Sequence, residues 1–178
     1  MEATVRSNSA LENLFPIRAG YQWVYATSGD EGENGRLLVR AERTVATEGV
    51  LVTGGRRKTF HFEGEGIREG SSLGAAFVLR PPLEVGRTWR GTHGGTVEVT
   101  GVRVTARVPA GLYDGCISTV ERRGGDVRLQ VNTVYCPDVG IVSLEVFGGG
   151  RMERAELVSY GPPIDLGPDG LKAIPPRP

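Results

Sequence analysis

No apolar run in this chain is long. The longest uninterrupted one is Ala75-Ala76-Phe77-Val78-Leu79, far short of the ~20 residues that a membrane-spanning helix requires, so no transmembrane segment is expected. Net charge is missing too, since 21 Lys+Arg stand against 21 Asp+Glu. A chain so balanced has no overall field with which to gather nucleic acid or an anionic membrane surface. Lysine is almost absent, with only Lys58 and Lys172 among the basic residues; an arginine bias of the kind a GC-rich coding genome produces carries no functional weight. Helical signals are lacking as well: no segment of about ten residues or more shows an apolar 3.6-residue period with caps at both ends. The opening Met1-Glu2-Ala3-Thr4-Val5-Arg6-Ser7-Asn8-Ser9 has neither a basic n-region nor an apolar h-region, so no secretion signal is visible. Either the protein is cytosolic or Met1 stands where a leader was removed.

What the chain does have is glycine. Its 27 glycines are about twice the usual ~7%, and they fall singly or in pairs between short Val-rich runs, where turns need positive φ. The expected fold is all-β, a single curved antiparallel sheet of about ten strands, half-barrel, barrel or sandwich-like, with little helix. Residues 1–14 read as a polar lead-in, 15–160 as the antiparallel β domain, and 161–178 as an extended, partly disordered tail holding six of the eleven prolines. Hairpins are expected about Gly54-Gly55-Arg56-Arg57, about Arg123-Gly124-Gly125-Asp126 and about Gly148-Gly149-Gly150. Val97 and Val99 sit on odd positions whereas Val102, Val104, Ala106 and Val108 sit on even ones, so a β-bulge or bend at Gly101 is predicted to return all of them to one face.

Two eight-residue units share a pattern that uses both tryptophans. Pro16-Ile17-Arg18-Ala19-Gly20-Tyr21-Gln22-Trp23 and Pro82-Leu83-Glu84-Val85-Gly86-Arg87-Thr88-Trp89 each run Pro, aliphatic, two variable residues, Gly, two more, Trp. Proline stands outside the ladder, glycine permits the turn and tryptophan anchors the strand by burying a large ring. The units are therefore expected to be strand-entry devices with buried tryptophans, Pro16, Gly20, Trp23 and Pro82, Gly86, Trp89, at equivalent places at the edge of one shared sheet.

Chemistry-bearing residues are few. His61, Glu63 and Glu65 alternate along one predicted strand, which places an imidazole and two carboxylates on one face as weak metal candidates; without a fourth ligand they read as a solvent-facing row opposite Phe60 and Phe62. His93 sits in the turn Gly91-Thr92-His93-Gly94-Gly95, and the neighbouring sequence offers neither a nucleophile nor an orienting acid. Ser71-Ser72-Leu73-Gly74 and Gly148-Gly149-Gly150 lack the ending and the strand-loop-helix setting of a phosphate cradle. No catalytic set, metal or cofactor is therefore assigned. Cys116 and Cys136 flank a predicted hairpin and fit either a disulfide or two inert buried thiols. A tight Gly124-Gly125 turn would set Cys116 opposite Thr133, so a bridge demands a looser turn, a bulge or a bend at Pro137.

Three ordered segments, Phe15-Pro16-Ile17-Arg18-Ala19-Gly20-Tyr21-Gln22-Trp23-Val24-Tyr25, Val108-Pro109-Ala110-Gly111-Leu112-Tyr113-Asp114-Gly115-Cys116 and Tyr135-Cys136-Pro137-Asp138-Val139-Gly140-Ile141-Val142, together resemble a family of uncharacterised bacterial exported proteins and lipoproteins. Its members carry an FPL..G..W.Y opening, then VPAG.F..C, then WYAPGVGLV. The resemblance implies an antiparallel β fold, export to the periplasm or outer membrane, and a lipid anchor in the full-length precursor. Cys136 stands where the family more often has Ala, which favours a local disulfide partner for Cys116. Together with the absence of a polar catalytic set, the resemblance leads to the expectation of a non-enzymatic cell-envelope protein that holds a hydrophobic ligand or docks on another envelope component. The alternatives are a scaffold module engaging a partner through its Pro-rich tail, and a metal protein or enzyme centred on His61, Glu63 and Glu65.

Overall fold

Short apolar runs separated by glycine pairs can do little but turn back on themselves. In the computed structural model, which describes residues 10–32, 34–70, 76–165 and 172–173, they do so twice. Strands β1 (Gln22–Gly29), β2 (Asn34–Val45), β3 (Glu48–Thr53), β4 (Arg56–Glu63), β5 (Gly66–Glu69) and β6 (Phe77–Leu79) form one up-and-down meander. Strands β7 (Thr88–Arg90), β8 (Thr96–Val108), β9 (Gly111–Arg123), β10 (Leu129–Cys136), β11 (Gly140–Gly148) and β12 (Arg151–Gly161) form the second. Pairing of β1 with β12 joins them into one antiparallel sheet of 12 strands in the order β6-β5-β4-β3-β2-β1-β12-β11-β10-β9-β8-β7. The sheet is nearly closed into a barrel. At the remaining seam Trp89 Nε1 of β7 donates to the Phe77 carbonyl of β6 at 3.0 Å. Strands β13 (Ile164–Asp165) and β14 (Lys172–Ala173) make a separate two-stranded ribbon; residues 166–171 and 174–178 of the expected tail lie outside the described residues.

The all-β expectation holds, with more strands than the ten or so expected. Strand β5 of the barrel has no sequence signal: it is four residues long with Ile67 as its only large apolar side chain, too short to display alternation. Residues 10–14, the last of the expected lead-in, form a helical turn whose Leu11 is buried in the core.

Each Pro-Gly-Trp unit opens one six-stranded half. Gly20 and Gly86 have φ of 80° and 85°, a left-handed backbone that costs a side-chain-bearing residue about 1–2 kcal/mol. The hydrogen bonds repeat position for position. Tyr21 N donates to Arg18 O and Arg87 N to Glu84 O, Gly20 N to Ala41 O and Gly86 N to Val99 O, while Ala41 N and Val99 N return to Tyr21 O and Arg87 O. Both tryptophans are buried, as expected. Their places are equivalent as first strands of the two halves, but only β7 is a sheet edge, because β1 has gained β12 as a neighbour. The second unit's aliphatic residue, Leu83, is only partly buried, whereas Ile17 is fully so.

The register of β8 on β9 shifts between Val99 and Gly101, where the slip in the valine phase places a bulge. Two more shifts follow, at Val102/Val104 and Val104/Ala106, with Arg103 at φ 57°. This added irregularity turns Val102 out to 38% exposure, so the valines do not all return to one face.

Candidate functional site

The two ends of the barrel differ. Successive turns of an up-and-down meander fall on alternate ends, so the turns β1–β2, β3–β4, β7–β8, β9–β10 and β11–β12 share one end. The other end receives the segment before β1, where Leu11, Phe15 and Ile17 are all buried. Phe15 sets its ring edge-on to Phe60 of β4 at 5.0 Å and to Tyr135 of β10 at 6.4 Å. Asp138 N donates to Asn13 O at 2.8 Å, Trp23 Nε1 to Val139 O at 2.7 Å and Tyr25 Oη to Ile141 O at 2.8 Å. These bonds fasten the segment and β1 to the turn between β10 and β11. The barrel is plugged there.

Above the plug lies a cavity of about 250 Å³. Tyr25, Leu51, Phe60, Ile141, Leu144 and Ala155 give it apolar walls, and Thr53, Lys58, Glu69 and His93 line it towards the end that carries the turns. That volume lies just under the ~300–1,000 Å³ of typical ligand pockets and suits a slender occupant. A larger hollow of about 1040 Å³ is bounded mainly by the turns 123–128 and 148–151, which are exposed.

Of the polar groups at the mouth, His93 is held by Glu121, which β9 presents on the same face as Ile117 and Thr119, all three buried. Its Oε1 accepts from His93 N at 2.9 Å and Gly95 N at 3.0 Å, and its Oε2 lies 2.7 Å from His93 Nδ1. A carboxylate only accepts, so Nδ1 is the donor and Nε2 of a neutral ring is left as an acceptor. Gly91 makes room for this: a Cβ there would fall 2.3 Å from the Glu121 carboxyl carbon. Burial alone would raise the Glu121 carboxyl. Hydrogen bonds from the His93 ring and from the Gly95 and His93 N–H groups outweigh it and hold the group below its ordinary 4.5. Burial also pushes the Tyr25 and Tyr135 hydroxyls above the ordinary phenol range, leaving both neutral. Lys58 pairs with Glu69 at 3.0 Å.

Because the folded carboxyl of Glu121 lies below its unfolded value, its stabilisation is fully present above that value and is lost as pH falls through the folded one. Glu121→Gln is expected to lower the unfolding free energy at pH 7 by about 1–3 kcal/mol. The difference from the parent should narrow below pH 4.5, where the carboxylate protonates. Urea unfolding at pH 7 and pH 3 checks this, and a difference that stays constant with pH removes Glu121 from the role.

His93 therefore does have an orienting acid, supplied from 28 residues along the chain. The signal that could have found it is the alternation Ile117, Thr119, Glu121, which puts a carboxylate on an inward position. His61, Glu63 and Glu65 do not converge. Phe60 and Phe62 are buried, and His61 on the opposite face has Nδ1 3.8 Å from Glu48 Oε2. Glu63 is held by Arg68 through a two-point contact, and no group of three or more potential ligands is assembled among the described residues. Ser71-Ser72-Leu73-Gly74 lies outside the described residues. Cys116 and Cys136 form a disulfide. The tight turn that would have prevented it is absent: Arg123 pairs with Leu129, leaving residues 124–128 in the loop. One step beyond the Ile117–Tyr135 pair, this register sets the two cysteines opposite each other with Cα atoms 4.2 Å apart.

No protein-family model matches the sequence, and no curated protein matches it. Solved structures do resemble the fold. A candidate exported protein of Bacteroides fragilis described as having a YmcC-like fold matches with a TM-score of 0.52 at 11% identity, over 82% of this chain and 97% of that one. A candidate lipoprotein of Parabacteroides distasonis gives 0.48 at 12% identity, over 83% and 98%. The first shares the architecture of the barrel.

Proposed function

We propose that this protein is an exported, non-enzymatic envelope protein that holds a small apolar ligand, or the apolar chain of an amphiphile, inside the barrel. The observation that carries the reading is the apolar cavity of about 250 Å³ between the plug and the turns, since a barrel interior that need only be stable fills with side chains. Its few polar groups cluster at the mouth, where they can orient a head group without solvating the interior. The disulfide fits an oxidising compartment, the sequence resemblance implies export, and the Bacteroides fragilis neighbour is itself described as a candidate exported protein. Residues 15–160 would be the ligand-binding domain, with 10–14 added as part of its plug.

The test uses N-phenylnaphthylamine, a neutral apolar fluorophore. The parent protein is expected to bind it saturably at about one per chain, with competition by medium-chain alcohols. Ala155→Leu and Leu51→Trp place extra volume in the cavity and should reduce uptake at least tenfold while the far-ultraviolet dichroism is unchanged. Unsaturable binding, or folded variants that bind as the parent does, would overturn the reading.

A further inference from the structure

A net charge of zero conceals a local imbalance at the open end. Arg56, Arg90, Arg123 and Arg128 lie in or beside the turns that share this end with the cavity mouth, are exposed, and have no carboxylate partner among the described residues. Arg123 sits against the mouth itself, donating to the His93 carbonyl at 3.0 Å. Among the described residues Glu31 pairs with Arg151 at 3.3 Å, while Asp30, which accepts from Met152 N at 2.7 Å, Asp126 and the exposed Glu153 have no basic partner; with the exposed, unpaired Arg36 of β2 the arginines still outnumber them. Two apolar side chains stand among the arginines: Val127 is 58% exposed and Phe147 38%, and both border the hollow between the β9–β10 and β11–β12 turns.

Unpaired guanidinium groups around apolar tips fit an interface with phosphate above and acyl chain below. We propose that this rim docks the protein on an anionic phospholipid bilayer. Val127 and Phe147 enter the headgroup layer and the four arginines meet phosphates, so that the cavity mouth faces the lipid. The orientation gives the cavity its access to a membrane-borne ligand and in that respect rests on the binding function proposed above; the docking itself does not.

Flotation of the full chain with vesicles separates the two. Binding is expected to phosphatidylcholine vesicles containing phosphatidylglycerol, to weaken as salt rises, and to be at least tenfold weaker on phosphatidylcholine alone. Arg90→Gln with Arg128→Gln, neither of which makes a side-chain hydrogen bond here, should weaken it about thirtyfold, at a few-fold for each charge near the surface. Val127→Ser with Phe147→Ser should weaken it by a similar factor. Uptake of N-phenylnaphthylamine in the absence of vesicles should be unchanged in both, so a failure of the cavity and a failure of the rim are read independently. Equal binding to neutral vesicles, no binding to anionic ones, or arginine variants that bind as the parent does would each overturn the proposal. Loss in the arginine variants with full binding by the serine variants would also overturn it, reducing the rim to a general polyanion contact.

Discussion

Phe15→Ala should lower the unfolding free energy by about 3–5 kcal/mol, the range for emptying a buried aromatic site. The reason lies in what the ring connects. Phe15 is 5% exposed and belongs to neither meander, yet it packs edge-on against Phe60 in the first and Tyr135 in the second. Such pairs contribute about 0.5–1.5 kcal/mol each beyond area burial. Its N–H closes the helical turn on Leu11 O at 3.0 Å, so the ring is the point at which the plug grips both halves. Collapse cannot heal the loss, because the neighbouring cavity already lies open on one side of the site. Phe15→Leu, which keeps most of the apolar volume but loses both ring edges, should cost about 1–3 kcal/mol, less than the alanine variant. Urea denaturation of the two variants checks the pair of values. A cost under about 1 kcal/mol for Phe15→Ala would mean that the segment lies on the barrel without sealing it. In the binding assay the alanine variant, if folded, should accept bulkier probes than the parent, because the ring forms the floor of the site.

Local devices were legible in the sequence, and their partners were not. The Pro-Gly-Trp units announce strand starts because proline, glycine and tryptophan each act within a few residues, and the repeated hydrogen-bond pattern at Gly20 and Gly86 is the local physics doubled. The slip in phase at Gly101 was readable for the same reason. Alternation reports which face a side chain takes but not what lies across from it. Nothing in the run around Trp23 says that β1 will pair with β12, where Trp23 lies opposite Tyr160, and that pairing joins the halves into one barrel. The mouth shows the same gap. His93 was visible as a turn residue and Glu121 as one residue of a strand, while their meeting depends on the β7–β8 turn folding beside the end of β9, where Thr96 pairs with Arg122. The loop 124–128 misled because Gly124-Gly125 satisfies a two-residue turn equally well. The choice between the two registers rests on long-range packing of Ile117, Thr119 and Glu121 against Val131, Thr133 and Tyr135, each opposite its partner in the observed one.

That register carries the last large effect. Replacing both cysteines by alanine is expected to lower stability by about 3 kcal/mol, the loop-closure value for a bridge spanning a separation of about twenty residues. Alanine is the right replacement because both positions are 0% exposed, and a serine hydroxyl would add a desolvation cost of its own. The effect acts chiefly on the unfolded chain, where the bridge keeps the β9–β10 hairpin closed. Two results should follow. Folded parent protein should resist reductant, since attack needs access to a sulfur that is buried. Urea unfolding with reductant present should shift the parent to the midpoint of the double alanine variant, and without reductant the two should differ by the full amount. A double variant within about 0.5 kcal/mol of the oxidised parent would show that the hairpin register is held by the inward-facing residues alone. Mass spectrometry of the native chain, with free thiols alkylated at lysis so that air cannot oxidise them, then reads the compartment, because a bridge already formed in the cell is what export to an oxidising space produces.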